Sequence, residues 1–286
     1  MTVKVFCGGD GVLIDAQVHV VSPDQDRYPL DPPPLERPAW FDRFGRSVET
    51  LLAEMDEHGI ERTVLVQPYS AYRFDNRYAA DSAALSPRLV CSCAVDVDDD
   101  PVKAARYWVS EHAARGIRVV LYLSDTAWLD SPAGDVLLDE LEALGVVAQL
   151  LGRAEHLPVV RRAAMRHPGL AVLVDHCGFP DLSGGPGYPN ARDLFALAEA
   201  GNVRLKLSTQ VFGLARDGGV ALPRLTEDLV ADFGADRVMW ASDLTVQPRP
   251  YAEVLGDAGE ACSGLSSAER ALVMGECAAA MWWPEN

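Results

Sequence analysis

The 286-residue chain has no apolar run near the ~20 residues that a membrane helix needs. It also lacks the basic segment and apolar stretch of a secretory signal peptide at its N-terminus. Basic residues are few, with 25 Lys and Arg against 42 Asp and Glu, so the net charge is −17. That charge argues against nucleic acid and against an anionic membrane surface as partners. We therefore expect a cytoplasmic protein that acts on a small molecule, and the sequence leaves an oligomer open.

Two sequence motifs are missing as well. The six cysteines include no Cys-x-x-Cys pair, so they indicate no zinc site of that type. Cys91 and Cys93 fall in an apolar run, and in a reducing compartment we interpret them as core residues. No Gly-x-Gly-x-x-Gly follows the first apolar run, so nothing supports a dinucleotide-binding, doubly wound sheet, which is the alternative fold.

What the sequence does contain is a repeated alternation of short apolar runs and amphipathic segments. The runs are nearly continuous, which is typical of parallel strands covered on both faces. Eight such repeats predict an α/β fold, a closed (β/α)8 barrel, as a single domain over residues 1–286. The predicted strands are Val12–Val18, Arg62–Val66, Leu89–Val95, Ile117–Leu123, Val146–Leu151, Leu170–Val174, Val203–Leu207 and Arg237–Ala241.

Two segments interrupt this alternation. The Pro-rich loop Val21–Arg46 follows the first strand, and the Gly-rich segment Gly178–Asn190 follows the sixth. Loops after barrel strands lie on the catalytic rim, so each segment is either a lid over the site or an irregular connection.

Three polar residues stand at the downstream ends of strands that are far apart in sequence. They are His19 after the first strand, His176 after the sixth and Asp243 after the eighth. Because the carboxyl ends of barrel strands meet at one rim, we predict that these three residues share a pocket and are catalytic. Gln17 lies two residues before His19, so it faces the same side of the strand and is a candidate for substrate binding.

Other polar residues lie on the same strands and are weaker candidates for binding substrate. Arg118 near the start of the fourth strand could instead form an ion pair at the barrel bottom. Lys206 is flanked by two leucines and should point into the barrel, where it needs an anion, from substrate or from the protein. The remaining candidates are Tyr122, Gln67, Tyr69 and Gln149.

Taken together, these motifs resemble one enzyme family. Asp15-Ala16-Gln17-Val18-His19, Gly116-Ile117-Arg118, Asp175-His176-Cys177-Gly178, Val203–Ser208 and Met239-Trp240-Ala241-Ser242-Asp243 are similar to the amidohydrolase-2 branch of the amidohydrolase superfamily. Within that branch the chain most resembles the lactone hydrolases. The resemblance implies a distorted (β/α)8 barrel and hydrolysis of a small lactone, ester or amide by activated water.

The chain departs from the family at one position. The family has His-x-His on the first strand, whereas this chain has Gln17-Val18-His19. An amide is a poor zinc ligand, so we favour no metal; a single zinc or manganese ion, if present, would use His19, His176 and Asp243. The resemblance then implies that Asp243 takes a proton from water and that the two histidines hydrogen-bond the substrate carbonyl oxygen.

Two alternatives remain open. The first is a metal-dependent, non-oxidative decarboxylase of an aromatic or muconate-type acid, because the same branch contains such enzymes. The second is a barrel that binds a ligand without catalysis, or a tailoring enzyme of a secondary pathway.

Overall fold

In the computed structural model, eight parallel strands form one sheet in chain order, and each strand is hydrogen-bonded to the next. This arrangement confirms the predicted α/β barrel. The structure describes residues 11–31, 45–246 and 249–284. The strands are β1 Ile14–Val18, β2 Arg62–Val66, β3 Leu89–Ala94, β4 Gly116–Val120, β5 Val147–Leu151, β6 Val172–Val174, β7 Val203–Ser208 and β8 Val238–Ala241.

Helices surround the sheet and bury their apolar faces against it. In α1, Val48, Leu51 and Met55 are buried on one side, and the helix ends at Gly59, whose φ of 72° suits glycine. The helices are α1 Val48–His58, α2 Tyr69–Tyr72, α3 Arg77–Ala83, α4 Pro101–His112, α5 Pro132–Leu144, α6 Leu157–Arg166, α7 Arg192–Ala196, α8 Thr209–Asp217, α9 Leu222–Phe233, α10 Tyr251–Ala261, α11 Ser267–Ala271 and α12 Cys277–Trp282. No helix in the described ranges is long and apolar enough to cross a membrane.

Several predicted strand ends were wrong. The fourth strand stops at Val120 because residues Leu121–Leu123 form a 3₁₀ turn, and the sixth is only Val172–Val174. The first begins at Ile14 rather than Val12. Apolar residues continue past the end of β4, where Leu121 is buried but Tyr122 and Leu123 are exposed, so hydrophobicity alone does not mark where pairing stops.

The seam between β1 and β8 closes just beyond the end of β8. The backbone N–H of Asp243 donates to Gln17 O at 3.0 Å, and that of His19 donates to Leu244 O at 2.8 Å. Val18 and Leu244 form an isolated parallel bridge between these bonds. The closure therefore places the residue that follows β8 beside the residues at the end of β1.

A bulge in β1 sets the direction of its last side chains. Asp15 pairs with Thr63 and Val18 pairs with Leu65, so two residues on β1 oppose one on β2. Such an extra residue re-aims the side chains that follow it. As a result Gln17 turns into the barrel, whereas Asp15 reaches the outer helix α10 through a 2.6 Å hydrogen bond from Tyr251.

The opposite end of the barrel is closed by the last helix. Trp282 is fully buried and packs against Ile14, Val64 and other inward-facing residues. A Cβ on Gly116 would lie only 2.8 Å from the Trp282 ring, so the start of β4 needs glycine for this close approach. The open end of the barrel is therefore the one at the carboxyl ends of the strands.

The structure describes only part of the Pro-rich loop after β1 but all of the Gly-rich segment after β6. Residues 32–44 of the Pro-rich loop lie outside the described residues, so the predicted lid there stays a prediction. The Gly-rich segment is described in full, and it buries Leu182 and Tyr188 against the barrel.

Candidate active site

The side chains of His19, His176 and Asp243 converge at the carboxyl ends of β1, β6 and β8. His19 Nε2 lies 3.3 Å from Asp243 Oδ1, and His176 Nε2 lies 3.9 Å from the same oxygen. All three side chains are almost fully buried. The barrel thus gathers the three residues that the sequence placed at separate strand ends.

Two of these residues have a strained backbone. His176 has a φ of 52° and Asp243 has a φ of 58°, both in the left-handed region that favours glycine. A side chain in this region costs about 1–3 kcal/mol and persists only where the surroundings enforce it. Each strained residue lies two positions beyond the end of its strand, and the two side chains meet there, with His176 Nε2 3.9 Å from Asp243 Oδ1.

The side-chain amide of Gln17 lies at that point. Its nitrogen donates to Asp243 Oδ1 at 2.8 Å and lies 3.3 Å from His176 Nε2 and 3.5 Å from His19 Nε2. Its oxygen accepts a hydrogen bond from Lys206 Nζ at 2.9 Å. Gln17 is therefore the centre of the cluster rather than part of its outer wall.

The Nδ1 atoms of His19 and His176, which face away from Asp243, each have a hydrogen-bond partner. His19 Nδ1 lies 2.7 Å from Val66 O, and a carbonyl oxygen can only accept, so Nδ1 carries a hydrogen. His176 Nδ1 lies 2.8 Å from Ser208 Oγ. These contacts hold each ring with Nε2 towards Asp243.

Asp175 anchors the layer of side chains beneath the three candidates. Its carboxylate accepts hydrogen bonds from Arg118 Nε and Gln149 Nε2, each at 2.9 Å, and Lys206 Nζ lies 3.1 Å away. Burial alone raises the pKa of Asp175, but the charges of Lys206 and Arg118 outweigh this effect and hold that pKa well below its usual range. Burial lowers the pKa of Lys206 to about 8 despite the opposing charge of Asp175.

The pKa values of Asp243 and His176 are both lowered, which favours the charged form of Asp243 and the neutral form of His176. Burial raises the pKa of Asp243, yet the adjacent His176 and His19 rings and a hydrogen bond from Gln210 bring that pKa well below its usual value. Burial lowers the pKa of His176, although the charge of Asp243 opposes this shift. At neutral pH the cluster therefore holds an ionised carboxylate beside a neutral imidazole.

A cavity of about 180 Å³ opens above the cluster. Its polar lining includes His19, His176, Asp243 and Arg118, and aromatic rings complete the wall. The aromatic residues are Tyr69, Tyr122 and Phe179. The lining therefore combines a few converging polar groups with aromatic rings, as in many ligand sites.

Four predicted binding residues do not line this cavity. Gln17, Lys206, Gln67 and Gln149 are fully buried below it. Lys206 takes its anion from the protein, which decides between the two roles that its position left open. Arg118, by contrast, lies on the cavity wall and not at the barrel bottom, because it is the third residue of β4 and points towards the mouth.

Sequence reasoning missed several residues of the site. Gln210 lines the cavity and donates to Asp243 Oδ2 at 3.0 Å, and Ser208 orients His176. Both follow or end β7, so the rule that located His176 would have found them. Asp175 was visible beside His176, but its role depends on the three side chains around it, which come from other strands.

Comparisons with known proteins agree with this geometry. A family model for amidohydrolases, Amidohydro_2, matches residues 14–282. The chain belongs to this amidohydrolase family. It is therefore of a hydrolase type, as the motifs predicted.

Individual relatives extend the comparison. The chain is 30% identical over 227 residues to an L-fucono-1,5-lactonase of Burkholderia ambifaria, covering 75% of this chain and 74% of that protein. A Pseudomonas putida structure named after 2-pyrone-4,6-dicarboxylic acid hydrolase has a TM-score of 0.77 at 24% identity, covering 96% and 98% of the two chains. A Burkholderia multivorans amidohydrolase with bound zinc has a TM-score of 0.74 at 22% identity, covering 95% and 99%. These structures share the barrel fold.

The zinc-bound relative raises the question of whether this site fits a metal ion. Zinc needs lone pairs at about 2.0–2.2 Å from imidazole nitrogen or carboxylate oxygen. Here the Gln17 side-chain nitrogen donates to Asp243 Oδ1 and lies within 3.5 Å of both histidine Nε2 atoms, and no cluster of three His, Cys, Asp or Glu side chains in the described ranges could hold a metal. The residues present do not fit a divalent ion.

Proposed function

We propose that this protein hydrolyses a small lactone with a water molecule activated by Asp243, and that it does so without a metal ion. The observation that carries the proposal is the convergence of Asp243 with His19 and His176 at 3.3 and 3.9 Å on the wall of a small cavity. Similarity to the fuconolactonase favours a lactone over an amide or ester. We further propose one catalytic domain over residues 1–286.

The first step is attack of water on the lactone carbonyl carbon. Asp243 is ionised at any working pH because its pKa lies well below its usual range, so it can accept the water proton without prior deprotonation. A positioned base of this kind contributes roughly 10²–10⁴-fold to the rate. The bond formed is between the water oxygen and the carbonyl carbon.

The negative charge that develops on the carbonyl oxygen needs a hydrogen-bond donor in the cavity. Arg118 directs Nε and one terminal nitrogen to Asp175 and the other terminal nitrogen to Gln67 O, which occupies about three of its five N–H bonds. Among the described residues the others have no hydrogen-bond partner, and Arg118 lines the cavity into which they can donate. We assign the oxyanion to Arg118 rather than to the histidines, because a guanidinium has only donors, whereas His19 Nδ1 donates to Val66 O and its Nε2 faces Asp243 Oδ1.

The second step breaks the ring. The tetrahedral intermediate collapses, the bond from the carbonyl carbon to the ring oxygen breaks, and the ring oxygen needs a proton. His176 Nε2 lies 3.9 Å from Asp243 Oδ1, so we propose that it carries the proton from Asp243 to that oxygen. The product is a hydroxy acid, and the site returns to its initial protonation state.

The test is hydrolysis of a panel of five- and six-membered sugar lactones and 2-pyrone-4,6-dicarboxylate, followed with a pH indicator. We expect turnover by the wild type and a loss of at least about 10³-fold in Asp243→Asn, with an unchanged circular dichroism spectrum. The exposed carboxylate variant Asp99→Asn is the matched control. No turnover of any lactone by the wild type, or full activity in Asp243→Asn, would contradict the proposal.

The same assay addresses the two alternatives. Release of carbon dioxide from an aromatic acid that depends on added manganese would identify a decarboxylase. Saturable ligand binding without turnover would identify a non-catalytic barrel. We keep the cytosol as the proposed compartment, which the five free cysteines of the described ranges support.

A further inference from the structure

Three hydrogen-bond acceptors meet at one point in the site. They are Asp243 Oδ1 and the Nε2 atoms of His19 and His176. His19 Nδ1 donates to Val66 O, and Ser208 Oγ can accept from His176 Nδ1, so each Nε2 can present a lone pair. Three converging lone pairs repel one another unless a cation or a donor lies among them. In a metalloenzyme a divalent ion would fill that position.

In this chain the position is taken by the side-chain nitrogen of Gln17. It lies 2.8 Å from Asp243 Oδ1, 3.3 Å from His176 Nε2 and 3.5 Å from His19 Nε2. An amide has a donor end and an acceptor end, so its effect depends on which end faces the cluster. Turned the other way, its oxygen would add a fourth acceptor, which is a weak ligand for zinc but no longer a donor that occupies the position of the ion.

Lys206 determines which end faces the cluster. Its ammonium has three donors and no acceptor, so its 2.9 Å contact with the Gln17 amide must be to oxygen. Asp175, 3.1 Å away, keeps Nζ in place, and both Lys206 and Gln17 are fully buried. Solvent therefore offers no alternative partner that would let the amide turn over.

We infer that the Gln17 amide, oriented by Lys206, replaces the divalent metal ion of a metal-binding amidohydrolase site. Its nitrogen donates to Asp243 Oδ1, lies within 3.5 Å of both Nε2 atoms, and so occupies the position that a cation would need. Lys206 is a positioning residue that acts through Gln17. The inference rests on the proposed function only in taking His19, His176 and Asp243 as the reacting groups.

Gln17, the residue that departs from the family pattern on β1, thus acts together with Lys206 on β7. Replacement of a metal-binding histidine by glutamine alone would leave an amide free to present either end. The lysine on β7 removes that freedom, and its charge further polarises the amide N–H bonds towards the acceptors. Each residue of the pair explains why the other is tolerated in the barrel interior.

The test measures binding of zinc alone by calorimetry and mass spectrometry after chelator treatment and dialysis. We expect no stoichiometric zinc in the wild type. Gln17→Glu is nearly isosteric, keeps an oxygen for Lys206 and supplies a second oxygen with lone pairs, so it should bind one zinc per chain about 100-fold or more tightly than the wild type. Lys206→Met should gain affinity by about 10-fold because the amide can then turn over.

A double variant tests whether the gain in zinc affinity depends on the proposed ligands. The gain must disappear when His176→Asn is added to Gln17→Glu, since that change removes a ligand. Lys206→Met loses a buried charge and could fail to fold, but Gln17→Glu alone still decides the question. One tightly bound zinc in the wild type, or no gain in Gln17→Glu, would overturn the inference, whereas failure of lactone hydrolysis alone would overturn only the proposed function.

Discussion

Asp15 Oδ1 accepts a hydrogen bond of 2.9 Å from the backbone N–H of Ser242, the residue that precedes Asp243. The same carboxylate accepts from the Gln17 backbone N–H at 3.2 Å and from Tyr251 at 2.6 Å. One buried side chain therefore ties the bulge in β1 to the end of β8. It holds in register the two chain segments that carry Gln17 and Asp243.

This anchor should make stability depend on pH. Burial raises the pKa of Asp15 to about 6, although its hydrogen bonds from Ser242 and Tyr251 oppose the shift. Because the folded-state pKa lies above the unfolded one, the stability that protonated Asp15 contributes is complete below pH 4 and is lost as the pH rises through 6. As the pH rises from 4 to 7, the free energy of unfolding of the wild type should therefore fall by about 3 kcal/mol relative to that of Asp15→Asn.

Urea unfolding of both proteins at several pH values measures this difference. Asp232→Asn, on the exposed surface, is the control and should run parallel to the wild type. A constant difference between Asp15→Asn and the wild type across this range would show that Asp15 is ionised throughout, contrary to the prediction.

Removal of the hydroxyl beside His176 should affect turnover more than binding. Ser208 Oγ lies 2.8 Å from His176 Nδ1, and it fixes the ring on a backbone that is already strained. Ser208→Ala should lower kcat about 10-fold, the equivalent of one lost hydrogen bond, and change KM less than about twofold. Steady-state kinetics with the best lactone checks this, and Ser208→Thr, which keeps a hydroxyl, should recover most of the rate.

The sequence was sufficient for the barrel and for the three strand-end residues, because both follow from local patterns. Apolar runs and glycine stops mark each repeat, and parallel strands place His19, His176 and Asp243 on one rim. It was insufficient for Lys206 and Gln17, whose partners come from different strands, so their roles depend on distances that no local pattern encodes. The bulge in β1 was also hidden, since it is defined by the register of β1 against β2, which no local pattern encodes.

Arg118 pairs with Asp175 and, in the proposed mechanism, also binds the oxyanion, and two substitutions should separate these roles. Arg118→Met leaves part of the Asp175 charge without its partner, so the free energy of unfolding should fall by about 3 kcal/mol. Arg118→Lys keeps the charge but not the forked geometry, so it should retain much of the stability and still lose about 10²-fold in kcat. Chemical denaturation and kinetics on the same preparations measure both, and a kcat in Arg118→Lys equal to that of the wild type would remove Arg118 from the oxyanion role.

The closed end of the barrel offers a change in stability that should leave catalysis intact. A Cβ at residue 116 would lie 2.8 Å from two ring carbons of Trp282, so Gly116→Ala should destabilise the fold by about 1–3 kcal/mol. Gly213 in α8 is the matched control, because a Cβ there meets nothing within 4 Å and alanine should stabilise that helix by up to about 1 kcal/mol. Both variants should keep the wild-type kcat at 20 °C, since neither residue touches the cavity. Thermal unfolding and lactone hydrolysis measured in parallel test this, and a loss of kcat in folded Gly116→Ala would mean that the two ends of the barrel are coupled.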